Sequence, residues 1–357
     1  MLNKKKVLIG LSGGVDSSVA AALLIESNYD VTGIMLKMYN NIHFDNDEYD
    51  AKKVAQILDM PFYTLDCEKL FKEKVIEYFT SEYNKGRTPN PCVICNRYVK
   101  FQKLLEEAIS QGCDYIATGH YSRIEYNKDT KRYMLKRAAS LNNDQSYFLY
   151  KLTQDELSKT IFPLGNYSKE EVRKTAEKYR LHIKEKRDSQ EICFLNNKSN
   201  YIEFLRNCSN NEIMPGYFVD KNGNILGEHK GIIHYTIGQK KRLGLENLGK
   251  SMCVVKIDVE NNFIILGNEN DVFSKTLVAN DLNLISIPEI NEEIRIKAKI
   301  RYKAKNAPAL LYPIGNGEVG VNFDLPQRAI TPGQSVVFYD FYDEDIVLGG
   351  GVIISSS

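Results

Sequence analysis

Residues 7–20, VLIGLSGGVDSSVA, join a short apolar run (Val7, Leu8, Ile9) to an alanine-rich segment through two adjacent glycines, an aspartate and paired serines. The apolar run reads as a strand and Ser17–Glu26 as a helix. Consecutive glycines let backbone amides close around a small anion, and a helix beginning at Asp16, Ser17 and Ser18 adds the positive end of its dipole. The stretch lacks the lysine of a GxxxxGK[ST] loop, the group that grips β- and γ-phosphates for γ-transfer. Chemistry at an α-phosphate, with pyrophosphate leaving, suits it better. The plain alternative is a glycine turn capped by serine.

Working outward, VTGIML (31–36), PFYTLD (61–66) and DYIATGH (114–120) read as further strands. Tyr49–Leu58, Glu68–Glu82 and Tyr98–Gln111 read as helices. This alternation predicts an α/β fold with a doubly wound, mostly parallel sheet, in which ligands sit beyond the carboxyl ends of the strands. SGGVDSS and TGH both fall at such ends. GRTPNPCVICN (86–96), marked by proline and glycine, reads as a loop between two helices and a candidate active-site excursion.

After about residue 198 the pattern changes. Glycines recur in MPGYFVDKNGNILGEHKG, and from about 273 short alternating runs such as RIKAKIRY, EVGVNF and QSVVFY are separated by Asn, Gly and Pro turns. That cadence is one of a small β-barrel or sandwich. The expected organisation is an α/β domain over 1–198, a small β-rich central domain over 199–272 and a C-terminal β-barrel over 273–357.

With 357 residues, 43% apolar and 26% charged, the chain has the composition of a multidomain globular protein. It contains no apolar stretch long enough to span a membrane. The N-terminal MLNKKKVLIGLSGG lacks the length and cleavage site of a secretory signal, so a cytoplasmic protein is expected. Net charge is +1, so any nucleic-acid contact rests on local basic patches. GQKKRLG (238–244) and RYKAK (301–305) are such patches, each readable also as a solvated loop.

Seven cysteines are unevenly spread. Cys92 and Cys95 form a CxxC, readable as a redox pair, half a zinc site or cluster ligands. Cys193 has Lys186 and Arg187 nearby in sequence, charges that favour a thiolate. Cys67, Cys113, Cys208 and Cys253 read as inert. His120 in TGHYSRI and the polar run before the aromatics of NNDQSYFLY (142–150) are weak signals taken alone.

Taken together and in order, these motifs resemble one family, the bacterial tRNA-specific 2-thiouridylases. GLSGGVDSS resembles the PP-loop of ATP pyrophosphatases, a motif shared with GMP synthetases, argininosuccinate synthetases and tRNA-lysidine synthases. GRTPNPCVICNRYVKF, ATGHY, NDQSYFL, SQEICF, HYTIGQKKRLGL, RYKAK, TPGQSVVFYD and LGGGVI narrow the resemblance across almost the whole chain.

The resemblance implies ATP, with Mg²⁺, held by Gly10, Leu11, Ser12, Gly13, Gly14, Val15, Asp16 and Ser17, and by Leu36 and Gly119. It implies attack of the wobble uridine O2 on the α-phosphate, then delivery of sulfur to C2 as AMP leaves. Cys193 would carry a persulfide received from a sulfur-relay protein or cysteine desulfurase, and Cys95 would be the nucleophile. A Cys95–Cys193 disulfide would form and need reduction. Asn90, Pro91 and Cys92 are expected at the target base with His120 close by. Asn143, Asp144, Gln145, Arg301, Tyr302 and Gln334 are expected on the tRNA, the usual substrates being the Lys, Glu and Gln tRNAs.

Two positions depart from the family pattern. Cys92 replaces an aspartate common there, a candidate general acid/base, and Asn143 stands where lysine is frequent. Three cysteines, Cys92, Cys95 and Cys193, also match the number that related thiolases use to hold an iron–sulfur cluster. Persulfide and cluster chemistry therefore both remain open on the sequence, as does another PP-loop tRNA-modifying ligase.

Overall fold

The computed structural model describes residues 4–39, 44–183, 192–195, 201–208, 213–245 and 252–357. The run quoted first becomes strand β1 (Lys6–Gly10), followed by helix α1 (Val15–Glu26), strand β2 (Asp30–Lys37), helix α2 (Phe44–Ile57) and strand β3 (Phe62–Asp66). Strand β4 (Tyr115–Ala117) precedes a hairpin, β5 (Ser122–Asn127) and β6 (Arg132–Arg137), and then the short β7 (Thr160–Ile161). Five of these strands form a parallel sheet ordered β3-β2-β1-β4-β7. Val7, Leu8 and Ile9 are all fully buried, because helices cover both faces of a parallel sheet. α1 and α2 pack on one face, while Phe101, Leu104 and Ala108 pack on the other.

The central part holds a four-stranded sheet of β8 (Gly216–Val219), β9 (Ile225–His229), β10 (Cys253–Asp258) and β11 (Phe263–Gly267). The C-terminal part is an antiparallel barrel of β12 (Phe273–Leu284), β13 (Ile294–Lys299), β14 (Ala307–Gly315), β15 (Glu318–Arg328), β16 (Ser335–Asp340) and β17 (Ile346–Ser356). Pairing of β12 with β17 closes it.

Two features differ from the sequence reading. Hairpin β5–β6, which falls within 1–198, pairs through β6 with β17 and so extends the barrel sheet. An isolated two-stranded hairpin is marginal in water, and the third strand comes from the barrel. The glycines of LGGGVI permit close docking nearby, since a Cβ on Gly350 would lie 2.7 Å from the Tyr150 ring. The second difference concerns GRTPNPCVICN. Only its first half is a loop, because a helical run begins at Pro91 and continues through Pro91–Ile94, the π-helical Cys95–Phe101 and Gln102–Ser110. Proline at the first helical position loses no hydrogen bond and has its φ preset, so it starts the helix rather than blocking it. No helix among the described residues is long and apolar enough to cross a membrane.

Candidate functional site

Gly10 ends β1, and the chain turns through Ser12–Gly14 into α1. Gly13 has φ +68°, and a Cβ there would lie 2.3 Å from the Asp47 carbonyl oxygen of α2, so glycine is required on both counts. Gly14 is the extended N-cap residue and has no side chain to fill the loop. Instead the loop is held by hydroxyls. Ser17 Oγ donates to Gly14 O (3.2 Å) and accepts from Ser12 N (3.2 Å), and Ser18 Oγ donates to Gly14 O (2.9 Å). The mouth formed above the α1 N-terminus has the amides and dipole an anionic phosphate needs.

Gly119, just past β4, meets this loop. A Cβ on it would sit 2.5 Å from Ser17 N and 2.8 Å from the Asp16 carbonyl carbon. The SGGVDSS and TGH segments are thus in direct contact, as their places at adjacent strand ends predict. Leu36 lies near the carboxyl end of β2, half-buried and paired in register with Leu65. His120 follows Gly119. Its Nδ1 lies 2.8 Å from Thr118 Oγ1, and its ring packs on Phe101 at 5.5 Å and Phe162 at 6.2 Å. Burial, helped by the Lys100 charge, lowers the imidazole pKa to about 3, so His120 is neutral at physiological pH.

Asp16, the acid in the first turn of α1, is not left facing the phosphate mouth alone. Lys169 Nζ lies 2.7 and 2.8 Å from its two carboxylate oxygens, and the Tyr121 hydroxyl donates to it at 2.7 Å. Lys169 opens helix Lys169–Lys178, whose start is fixed by a Ser168/Glu171 capping box. The sequence reading missed Lys169. SKEE signals a helix start, but nothing local says that this helix docks 153 positions back along the chain.

Cys92 and Cys95 lie at the start of the helical run. Cys92 is half-buried. Cys95 is buried in an aromatic cluster with Phe71, Phe79 and Phe204, its thiol 3.7 Å from Met38 Sδ. Phe194 belongs to the same cluster, its ring 5.2 Å from that of Phe79 and 5.7 Å from that of Phe71. This anchor holds the adjacent Cys193, an exposed residue, at the edge of the Cys95 site. Lys186 and Arg187 lie outside the described residues.

Burial raises the pKa of all three thiols, Cys95 up to about 12, and the leading opposing influence at each is the charge of Lys100. Lys100 is five residues after Cys95 inside a π-helical turn, whose i→i+5 repeat sets it one turn from the thiol. Its neighbours are committed elsewhere, Arg97 to Glu156 and Asn96 to the Phe148 carbonyl, whereas Lys100 has no ion pair among the described residues. A 3.6-residue reading does not align Lys100 with Cys95, so the sequence reading missed it. Among the described residues no three Cys, His, Asp or Glu side chains form a metal-ligating group. The Cys95 thiol is buried in the core, beside Met38 Sδ.

The residues expected on tRNA form a band between the α/β part and the barrel, but many are engaged internally. Asp144 is buried and accepts from Ala138 N, Ser146 N and Ser146 Oγ. Asn143 accepts from Ser140 Oγ, and Gln145 from Tyr121 N. Tyr302 donates to the Asp144 carbonyl (3.3 Å) and stacks at 4.4 Å on Phe148. Arg301 donates to the Arg328 and Ala329 carbonyls. Gln334 donates to the Thr88 carbonyl, and Asn90, which makes no cap bond, meets the Tyr147 hydroxyl.

A parallel α/β sheet with a glycine–serine loop at the β1–α1 junction, followed by two β domains, defines a PP-loop enzyme of the HUP class. Residues 5–197 match a family model described as the tRNA methyl transferase HUP domain, 202–268 its PRC-barrel domain, and 274–353 an aminomethyltransferase beta-barrel domain. Among curated relatives, a tRNA-specific 2-thiouridylase MnmA of Acetivibrio thermocellus is 52% identical, over 99% of this chain and 100% of its own. MnmA 1 of Caldanaerobacter subterraneus is 50% identical over 98% and 97%. MnmA of Clostridioides difficile is 47% identical over 100% of both chains. The chain belongs to the tRNA-specific 2-thiouridylase family, and is by that membership a sulfurtransferase.

Proposed function

We propose that this PP-loop enzyme, a tRNA 2-thiolase that uses ATP, acts on C2 of the wobble uridine, position 34, of the Lys, Glu and Gln tRNAs. ATP, carried in with Mg²⁺, lies against the β1–α1 loop. The uridine O2 attacks the α-phosphate and pyrophosphate leaves, making C2 electrophilic. Lys169 balances Asp16 so that the loop does not repel the phosphates.

Cys193 at the surface is the acceptor of sulfur from a relay protein or cysteine desulfurase, forming Cys193–S–SH. In one route the Cys95 thiolate attacks the Cys193 Sγ, releasing hydrosulfide and forming the Cys95–Cys193 disulfide. Hydrosulfide then adds to C2 and AMP departs. In the other the terminal sulfur attacks C2 first and Cys95 completes the transfer. Either way an external thiol reduces the disulfide before the next turnover. A thiol held near a pKa of 12 is protonated at neutral pH, so Cys95 needs a cation when it reacts. Lys100 is that cation. Cys92, a half-buried thiol, does not supply the acid–base group, and neutral His120 orients the base instead of taking its proton.

The observation that supports this reading is that Phe194, next to the exposed Cys193, shares a core with the buried Cys95. The test is thiolation of unmodified tRNA by iron-free, chelator-treated protein with ATP, Mg²⁺, reductant and a persulfide donor. Wild type is expected to form 2-thiouridine, Cys193→Ala and Cys95→Ala to form none, and Cys92→Ala to retain activity. Activity that appears only with bound iron and free sulfide would overturn the persulfide route.

A further inference from the structure

Strand β13 and the residues after it, IRIKAKIRY (294–302), alternate apolar and basic side chains. Ile296, Ala298 and Ile300 belong to the barrel core, so Arg295, Lys297, Lys299 and Arg301 share the outer face. Three of these four cations have acceptors. Arg295 grips both oxygens of Asp324 at 2.8 Å, Lys297 pairs with Glu344, and Arg301 donates to the Arg328 and Ala329 carbonyls. Lys299 has neither a hydrogen bond nor an ion pair among the described residues. Its ammonium lies over two rings instead, 5.3 Å from the centre of Tyr302 and 5.8 Å from that of Tyr147.

Lys299 is half-buried and faces a cavity of about 350 Å³. The cavity lies between the segment of Leu141 and Asp144 and that of Ala304, Lys305 and Asn306. Three cations, Arg137, Lys299 and Lys305, meet two carboxylates there, Asp144 and Glu344. Both carboxylates are already engaged. Asp144 accepts from Ala138 N, Ser146 N and Ser146 Oγ, and Glu344 is held by Lys297, Arg137 and Asn306. Burial depresses the Lys299 pKa, the Asp144 charge opposes this, and the Arg137 charge adds to it. A lysine ammonium carries three donors and is strongly hydrated in water, so a half-desolvated one without an acceptor is completed best by an anion.

We propose that this cavity is a phosphate subsite, in which Lys299, with Lys305 and Arg137, takes one phosphodiester of the RNA substrate's backbone. The rings of Tyr147 and Tyr302 hold the Lys299 stem before the ligand arrives, so little side-chain freedom is left to lose on binding. Lysine is a point charge suited to a phosphate and not a planar fork suited to a base edge. Lys303 and Lys305 of the adjoining RYKAK patch are exposed and continue the positive surface. Such a contact sets the register of the RNA on the barrel and carries no base identity. The subsite rests on the tRNA reading above.

The test measures binding of unmodified tRNA by the full chain between about 50 and 200 mM salt, for wild type, Lys299→Met, Lys299→Arg and Lys305→Ala. Lys299→Met keeps the stem between the rings and removes the charge, Lys299→Arg keeps the charge, and exposed Lys305 can be truncated without disturbing a core. ATP affinity, pyrophosphate affinity and melting temperature are read beside it. A phosphate contact predicts that Lys299→Met and Lys305→Ala each weaken tRNA binding about three- to ten-fold and each lower the slope of log K against log salt by about one. Lys299→Arg should stay within about two-fold of wild type, and ATP affinity should not move in any variant. Weaker tRNA binding with an unchanged salt slope would make Lys299 a support for the two rings and overturn the proposal. Pyrophosphate binding that disappears in Lys299→Met while tRNA binding stays unchanged would assign the cavity to a free anion and overturn it equally. A wild type that binds no tRNA would sink the tRNA reading and the subsite together, whereas variants with wild-type affinity and slope would sink the subsite alone.

Discussion

Replacing Gly119 by alanine tests whether the strand end and the phosphate loop work as one unit. The added Cβ would lie 2.5 Å from Ser17 N and 2.8 Å from the Asp16 carbonyl carbon, both backbone atoms with no rotamer to yield. Opening the nearer contact from 2.5 to the 3.4 Å of ordinary packing requires a shift of 0.9 Å. The first turn of α1 must take it, since β4 is held between β1 and β7. Overpacking of this kind costs about 1–3 kcal/mol, a lowering of melting temperature by several degrees. Displacing a substrate-holding loop by about 1 Å costs about 10²-fold in rate. Gly119→Ala should therefore stay folded, bind ATP at least ten-fold more weakly, at a cost of about 1.4 kcal/mol, and thiolate tRNA about 10²-fold more slowly. Isothermal titration with ATP and 2-thiouridine analysis read the two effects. ATP affinity and rate both within about three-fold of wild type, under 1 kcal/mol, would refute the reasoning.

Three further outcomes are expected. Lys100→Met should move the pH midpoint of Cys193 alkylation upward and slow thiolation at pH 7, with Lys100→Arg restoring much of both. Lys169→Ala leaves Asp16 uncompensated at the phosphate mouth and should weaken ATP binding about ten-fold, while Asp16→Asn/Lys169→Ala recovers part of the loss. His120 has its folded pKa lowered to about 3, by burial first, from 6.5. Its contribution to stability is complete above pH 6.5 and is lost as pH falls toward 3, because only the unfolded chain takes up the proton, at up to about 1.4 kcal/mol per pH unit. Urea unfolding at pH 7 and 5 should show a smaller loss in His120→Phe than in wild type.

The parallel sheet was legible because its strands are short apolar runs with both faces buried, and the phosphate loop because glycines and hydroxyls crowd into seven residues. The start of the cysteine helix was not. PNPCVICN carries two prolines, which read as breakers, yet Pro91 occupies the one helical position where proline is favoured. Lys100 was hidden by periodicity, since a five-residue turn has no signature in a pattern scanned at 3.6. Asp144 and Gln334 make internal hydrogen bonds that the sequence did not announce. The motifs that contain them are visible, but polar side chains beside a basic patch look alike whether they face RNA or tie two domains together. Asp144 accepts from nearby Ala138 and Ser146, whereas Gln334 donates to the Thr88 carbonyl 246 positions away, a contact no local pattern reveals.

The burial of Cys95 then has a mechanistic sense. The aromatic cluster that raises its pKa to about 12 keeps it protonated, and so poorly reactive toward oxidants, while no substrate is present. Cys193 is an exposed residue, although desolvation raises its thiol pKa as well. Under the thiolation reading proposed above, a nucleophile kept protonated by desolvation and an exposed acceptor would have to be brought into reaction by a change at their shared boundary. That boundary is the first turn of the cysteine helix, whose entry strip is gripped by the central domain at Gly86 and Thr88 and by the barrel at Thr88 and Pro89. Both β domains thus bond the strip that leads into the cysteine helix.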